Sequence, residues 1–390
     1  MNETTFLPPN SLIQQDEILF TSGSDFFKSL LTDIDKAQQT IYFETYIFKN
    51  DKIGKQIVKK LIQAAQRGVR VYVLVDGCGS PFWGTDFAVQ LEKNEIKNKV
   101  YHPFPWQLWN WSRSVVRLPF IIKWVYLLFK MTRRNHRKVC IIDERMAYAG
   151  SINVTMDHID RCDGGKNWRD IAIKIQNTNL QDLIEAFHCS WNHRTITERL
   201  KDTFKKIRRD PRIRLNNTWH RRRILYRNLI KRIRLSKTRI WIINAYFVPD
   251  SMLLKGLNDA AQRGVDVRVL LPQVSDHFIP HTWASATFYS SLLTHGVQIF
   301  EYLPSVLHAK TMIIDDWFLV GSSNLDHLSL LHNLEVDITI QNQMNKHKVN
   351  DLFLNDLKQS QEINKDNWKR HRPWYQRFFG RIFLYAKYWM

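Results

Sequence analysis

The chain has 390 residues, 44% of them hydrophobic, enough to supply a substantial core for two domains or two halves of one. Its 57 Lys and Arg against 37 Asp and Glu leave a formal charge of +20, which argues for a polyanionic partner, either nucleic acid or an anionic lipid surface. Four cysteines (Cys78, Cys140, Cys162, Cys189) form no CxxC, so neither a zinc site nor a disulfide framework is expected, and they read as reduced thiols in a cytosolic compartment.

In chain order, "MNETTFLPPN" lacks the charged and apolar regions of a cleavable signal, and no window reaches the roughly 20 apolar residues of a spanning helix. A helix is predicted over "SDFFKSLLTDIDKA" (24–37), with Ser24 as its N-cap. The apolar strand "TIYFETYIF" (40–48), an amphipathic helix stopped at Gly68 and the strand in "AAQRGVRVYVLVDG" (64–77) make a βαβ unit of a parallel sheet. The stretch 101–135 follows, with Trp106, Trp109, Trp111 and Trp124 among Arg113, Arg117, Lys123, Lys130, Arg133 and Arg134 around the apolar run "FIIKWVYLLF" (120–129). Aromatics, an apolar core and flanking positive charge suit a segment lying in the lipid interface; a buried helix packed on the sheet, wholly or in part, is the competing reading.

Residues 199–239 hold seventeen Lys and Arg, either a solvated basic linker or a surface against phosphates. A helix over 221–236 places Ile224, Leu225, Leu229, Ile230 and Ile233 on one face. The βαβ unit then recurs in "RIWIINAYFV" (239–248) and "AAQRGVDVRVLLP" (260–272), with Gly264 in the place of Gly68, so the chain is an internal duplication. Gly68 to His136 spans 68 residues and Gly264 to His308 only 44, so the stretch 101–135 contains an insertion that the second half lacks. The basic aromatic composition returns in "WKRHRPWYQRFFGRIFLYAKYWM" (368–390). Fourteen tryptophans, many beside Lys or Arg, suit a membrane interface, with core or base-stacking roles as the alternative.

The chemistry lies in "HRKVCIIDERMAYAGSIN" (136–153) and "HAKTMIIDDWFLVGSSN" (308–324), both His-x-Lys-x4-Asp followed by Gly-Ser-x-Asn. Six fixed positions arise by chance at roughly one start in 10⁸, and here they arise twice at matching places. Strand alternation puts His136 with Lys138, and His308 with Lys310, on one face. A tight turn at Asp143 or Asp315 returns the chain, and Ser151 with Asn153, and Ser322 with Asn324, are expected at a bound phosphate. Asp170 and Glu335 are carboxylates able to fix an imidazole tautomer. Two histidines, two lysines and two amides make a cradle for one phosphodiester: one imidazole attacks phosphorus while the other serves as acid and base. The lysines would repel a divalent ion, so no metal and no other cofactor are expected; the remaining histidines, His158, His188 and His193 among them, read as surface or core residues.

With these motifs the chain resembles the phospholipase D superfamily, and within it the bacterial cardiolipin synthases, over about residues 12–360. The likeness is most specific at "HAKTMIIDDWFLVGSSNLDHLSLLHNLEVDI" (308–338). It implies a phospholipase D-like α/β fold of two pseudo-twofold-related halves, each a mainly β-sheet core flanked by helices, sharing one site. The expected divisions are 1–198, a basic linker 199–220, 221–360 and a membrane-binding tail 361–390. The implied reaction is phosphatidyl transfer from one phospholipid, expected to be phosphatidylglycerol, to a hydroxyl of another, by way of a phosphohistidine. Carried over by motif, His136 is the nucleophile and His308 the acid/base, with Lys138, Lys310, Asn153 and Asn324 on phosphate and Asp143 and Asp315 ranked behind as supports. "GSIN" departs from the two glycines these synthases often carry. The implied partner is an anionic phospholipid membrane containing phosphatidylglycerol and cardiolipin, with no nucleic acid and no obligate protein partner, and the implied location is peripheral on the bacterial inner membrane, cytoplasmic face. A phospholipase or nuclease that passes the intermediate to water is the alternative.

Overall fold

The apolar runs of the duplicated units become strands in a computed structural model that describes residues 16–192, 212–274 and 279–385. Residues 199–211 of the expected linker and 386–390 of the expected tail lie outside these. The first half forms a seven-stranded sheet from β1 (Glu17–Phe20), β2 (Thr40–Thr45), β3 (Arg70–Asp76), β4 (Lys97–Tyr101), β5 (Val139–Ile142), β6 (Met146–Gly150) and β7 (Ala172–Gln176), in the order β1-β7-β6-β5-β2-β3-β4. The second forms an eight-stranded sheet from β8 (Ile213–Leu215), β9 (Arg239–Ile243), β10 (Asp266–Pro272), β11 (Gln298–Tyr302), β12 (Thr311–Ile314), β13 (Trp317–Gly321), β14 (Val336–Ile340) and β15 (Ser360–Ile363), in the order β15-β11-β10-β9-β12-β13-β14-β8.

The duplicated βαβ units are parallel, β2 with β3 and β9 with β10, and the motif strands β5 and β12 add to them antiparallel, so each sheet is mixed. Their crossover helices are capped alike. Asp51 caps α2 (Lys52–Gln66) and Asp250 caps the helix Ser251–Gln262, while Gly68 and Gly264, at φ of +92° and +87°, let the chain turn back. The helix ahead of β2, α1 (Gly23–Lys36), is capped by Ser22 and not by Ser24, whose hydroxyl instead bonds Asp163 and the Asp160 N–H.

Period-two alternation divides each strand between two cores. Trp241 and Ile243 of β9 face a core shared by both sheets, with Ile141, Ile173 and Ile175 of the first half and Ile313 and Ile338 of the second. Ile240 and Ile242 face the helices of their own half, as Ile41 and Phe43 do in the first. Each such aliphatic side chain contributes about 1.5–3 kcal/mol by burial. Two sheets back to back, with helices outside, put the strand ends of both halves at one boundary.

The basic stretch between the halves is not all linker, because Ile213 and Leu215 alternate inward and pair with β14 as the edge strand β8. In the helix Trp219–Leu235 it is Arg222, Tyr226, Leu229, Ile230 and Ile233 that are buried, and Ile224 is exposed. The insertion contains α3 (Phe120–Phe129), which buries only Lys123 and Leu127 and leaves Ile121 75% and Phe129 78% exposed. Lys123 turns inward because its ammonium donates to the Trp111 carbonyl at 2.7 Å. Part of the expected tail is structural: β15 completes the second sheet, and the buried Arg372 guanidinium binds Glu301 at 2.7 Å. Among the described residues no helix is long and apolar enough to cross a membrane.

Candidate active site

Antiparallel order explains why the motif residues converge. The start of β5, the end of β6 and the start of β7 lie at one edge of the first sheet, and those of β12, β13 and β14 at one edge of the second. His136 and Lys138 stand just ahead of β5, Asn153 just beyond β6 and Asp170 just ahead of β7; His308, Lys310, Asn324 and Glu335 repeat the arrangement. All eight are buried.

Backbone bridges join the two edges. Asn135 pairs with Leu334, and Leu307 with Arg169, so the residue before each histidine lies beside the residue before the other half's carboxylate. His136 N–H donates to Leu334 O at 3.0 Å and His308 N–H to Arg169 O at 2.8 Å. Each imidazole therefore meets a carboxylate of the opposite half: His136 Nδ1 lies 3.0 Å from both Glu335 oxygens, and His308 Nδ1 lies 2.8 Å from Asp170 Oδ1. With Nδ1 so held, Nε2 is the nitrogen each ring turns away from its carboxylate.

The carboxylates differ in charge. Burial pushes Glu335 up to about 7 against the pull of Lys138 and the Ser322 hydroxyl. Burial also opposes ionisation of Asp170, but His308 and His158 outweigh it and hold the group well below the usual range. Lys138 is held well below its ordinary value by burial, with Glu335 raising and Lys310 lowering it. Each lysine ammonium donates to the carbonyl of its own histidine, Lys138 to His136 O at 2.7 Å and Lys310 to His308 O. Asn153 Nδ2 and Asn324 Oδ1 are buried atoms that make no hydrogen bond.

Other expected residues do not join this group. Asp143 sits at the far end of β5, where its carboxylate accepts the N–H groups of Gln38, Gln39 and Thr40 at 2.9, 2.7 and 3.0 Å, and Asp315 does the same for Lys237, Thr238 and Arg239. Four strand residues separate each from its lysine, so both pin a helix–strand loop and neither reaches the histidines. Ser151 is committed to backbone, accepting from Ile171 N–H at 3.1 Å and donating to Ile171 O at 3.0 Å, while Ser322 donates to Glu335. The preceding glycines serve sheet packing: a Cβ on Gly150 would stand 2.6 Å from Ala172 Cα, and one on Gly321 2.0 Å from Asp337 Oδ1.

Several supporting residues carried no motif. Asp76 accepts Asn135 N–H at 2.8 Å, Glu44 accepts the Asn135 amide at 2.5 Å, and Arg137 lies 3.2 Å from Glu44, which fixes the chain on either side of His136. Arg134 ties the same segment to both ends of the stretch 101–135, through Met131 O at 2.7 Å and His102 O at 2.6 Å. Tyr46 packs edge-on against His136, with ring centres 4.9 Å apart, and lies under the Lys138 ammonium. Its place in the repeat is matched by Tyr246, a signal the duplicated strands did contain. His158, expected in core or surface, is buried against Asp170 at 2.6 Å. The facing atoms of His158, Asp170 and His308 lie within 4.8 Å, a spacing that would suit a metal, but they are engaged with one another by hydrogen bonds.

Two copies of one α/β unit whose strand ends build a single His–Lys–Asn site define the phospholipase D type of enzyme. The family described as the cardiolipin synthase, PLD-like domain matches residues 30–191 and 229–357. The chain is 29% identical to a cardiolipin synthase of Staphylococcus aureus (strain Mu50), over 96% of this chain and 72% of that one, and 29% identical to a cardiolipin synthase of Clostridium perfringens (strain SM101), over 92% and 74%. Among solved structures, the phosphatidylserine synthase of Haemophilus influenzae aligns with a TM-score of 0.66 at 13% identity, over 95% of this chain and 93% of that one. The polyphosphate kinase of Porphyromonas gingivalis aligns with a TM-score of 0.59 at 12% identity, over 90% and 49%. The chain belongs to the cardiolipin synthase-like enzymes of the phospholipase D superfamily.

Proposed function

We propose that the enzyme transfers a phosphatidyl group from one phosphatidylglycerol to a hydroxyl of a second, releasing glycerol and forming cardiolipin. The observation that carries this reading is the crossed pairing of two buried imidazoles with carboxylates of opposite halves, beside two lysines and two buried amides. His136 Nε2 attacks phosphorus, and His308, protonated and backed by the ionised Asp170, gives its proton to the departing glycerol oxygen. The hydroxyl of the second lipid then gives its proton to His308, and its oxygen displaces His136 from phosphorus. Lys138 and Lys310 neutralise the equatorial oxygens, and the amide nitrogens of Asn153 and Asn324 donate hydrogen bonds to them, Asn153 through the Nδ2 that no protein group engages. A Glu335 that ionises only near neutral pH suits the nucleophile, since it leaves His136 uncharged more readily than Asp170 leaves His308.

The substrates reside in a bilayer, and α3 supports contact with one. Phe120, Ile121, Ile122, Trp124, Val125, Leu128 and Phe129 are exposed on a single ten-residue helix, an area that water alone does not favour. With a chain charge of +20, the surface it fits is an anionic leaflet. On this reading the enzyme works at the surface of the bacterial inner membrane, with the cytoplasmic face as the expected side.

Purified protein mixed with phosphatidylglycerol vesicles should yield cardiolipin and glycerol by mass spectrometry. Phosphatidic acid as the product would show that water takes the intermediate, and cleavage of DNA with inert lipid would refute the lipid assignment. Replacing Ile121, Ile122 and Phe129 with Ser should cut vesicle binding and turnover on vesicles severalfold while a short-chain soluble diester is still processed. Leu127 is unsuited to this test because it is fully buried.

A further inference from the structure

Asp170 serves two imidazoles at once. Its Oδ1 lies 2.8 Å from His308 Nδ1 and its Oδ2 lies 2.6 Å from His158 Nδ1. His158 is wholly buried, and its Nε2 accepts the Asn153 backbone N–H at 3.2 Å. That bond settles its state. A ring nitrogen that accepts must carry a lone pair, so the proton is on Nδ1, the ring is neutral, and His158 donates to Asp170.

The second half repeats the device with other residues. His158 is the fifth residue after Asn153; the fifth after Asn324 is Ser329, whose side chain bonds Glu335. In each half, therefore, the loop after the motif strand sends back one donor to the carboxylate that backs the other half's histidine. The hydroxyls of Ser329 and Ser322 serve Glu335, whereas the shorter Asp170 is met by an imidazole anchored at its far side by backbone.

We propose that His158 is a positioning residue that holds Asp170 and divides its charge, thereby setting the orientation and proton affinity of His308. A carboxylate that accepts two N–H bonds is a weaker acceptor in each. With His158 in place, the His308 imidazolium is stabilised less than by an undivided carboxylate and releases its proton more readily to a leaving alkoxide. The other charged groups that bear on this pair are Lys310, which donates to the His308 carbonyl, and Lys138, which interacts electrostatically with Asp170. Trp168 packs on both rings, with centres 5.4 Å from His158 and 5.9 Å from His308, and carries no charge. The inference rests on His308 being the acid/base of the proposed transfer.

Two variants separate positioning from bulk packing. His158→Val removes the donor to Asp170, and His158→Asn restores an N–H on the side of Nδ1 without the second ring nitrogen. In H158V the proton affinity of His308, followed by NMR with 15N-labelled histidine, should rise by about one pH unit. The alkaline limb of the kcat profile should move up with it, and kcat at neutral pH should fall about tenfold, part of what an acid–base group supplies, with KM unchanged. H158N should return both towards the parent. If both variants melt earlier but neither the titration of His308 nor the limb moves, His158 is packing only and the proposal is overturned. Because the titration needs no turnover, a shifted His308 in a protein that makes no cardiolipin would keep this inference and discard the transfer reading. Normal transfer with an unshifted His308 would do the reverse.

Discussion

The first half's histidine and the second half's histidine stand in matching positions, yet they are backed differently. His136 faces the two oxygens of Glu335, a carboxyl that burial pushes up to about 7 and that hydroxyl groups surround. His308 faces one oxygen of Asp170, a carboxylate held ionised and shared with His158. Duplication kept the strand ends, the lysines and the asparagines alike and let the backing groups diverge. On the proposed roles, the division of labour between two like imidazoles would be set from the opposite half of the chain. A second contrast is the insertion, which lies only ahead of His136 and is tied to it through Arg134.

The largest effect should come from His136→Ala and His308→Ala, each losing on the order of 10⁴-fold or more of transfer as read by labelled glycerol release. Substantial activity in either would break the idea of one shared site. Next come Asp170→Asn and Glu335→Gln, which set the two backings against each other. D170N should cost roughly 10²–10⁴-fold across the pH range, since Asp170 is ionised throughout it. Glu335 is largely protonated below about 7 and ionises above it, so E335Q should differ little from the parent at pH 6 and fall behind as pH rises through 7. Equal, pH-independent losses would erase the contrast. Smallest is Asp143→Asn beside Asp315→Asn. Each weakens one loop's cap by about 1 kcal/mol on melting, with activity per folded molecule retained; a selective loss of turnover would return these residues to the chemistry.

Much of this was legible in the chain. The doubled His-x-Lys-x4-Asp pattern, the stops at Gly68 and Gly264 and the motif hairpins follow from local spacing, and the strands of the duplicated units lie at apolar runs, whereas β8 in the basic stretch and the polar β15 do not. The roles of Ser151 and Ser322 were less legible, because a small residue near a bound group and one that knits its own sheet look alike in one dimension. The structure commits both hydroxyls to protein partners. The role of His158 is not legible in the chain, because no spacing rule links it to His308, 150 residues away in the numbering. The run at 120–129 offered no way to see that Lys123 would be the buried residue and its apolar neighbours the exposed ones, since that depends on the Trp111 carbonyl beneath it.

By itself the sequence determined a duplicated α/β chain with two sets of phosphodiester chemistry, each set spaced by strand period and turn, which are properties of a few consecutive residues. Only the tertiary structure decided which carboxylate serves which histidine. That choice depends on two sheets packing back to back and on the bridges of Asn135 with Leu334 and Arg169 with Leu307. Those contacts join residues far apart in the chain, and the shared apolar core, not any local preference, holds them in register.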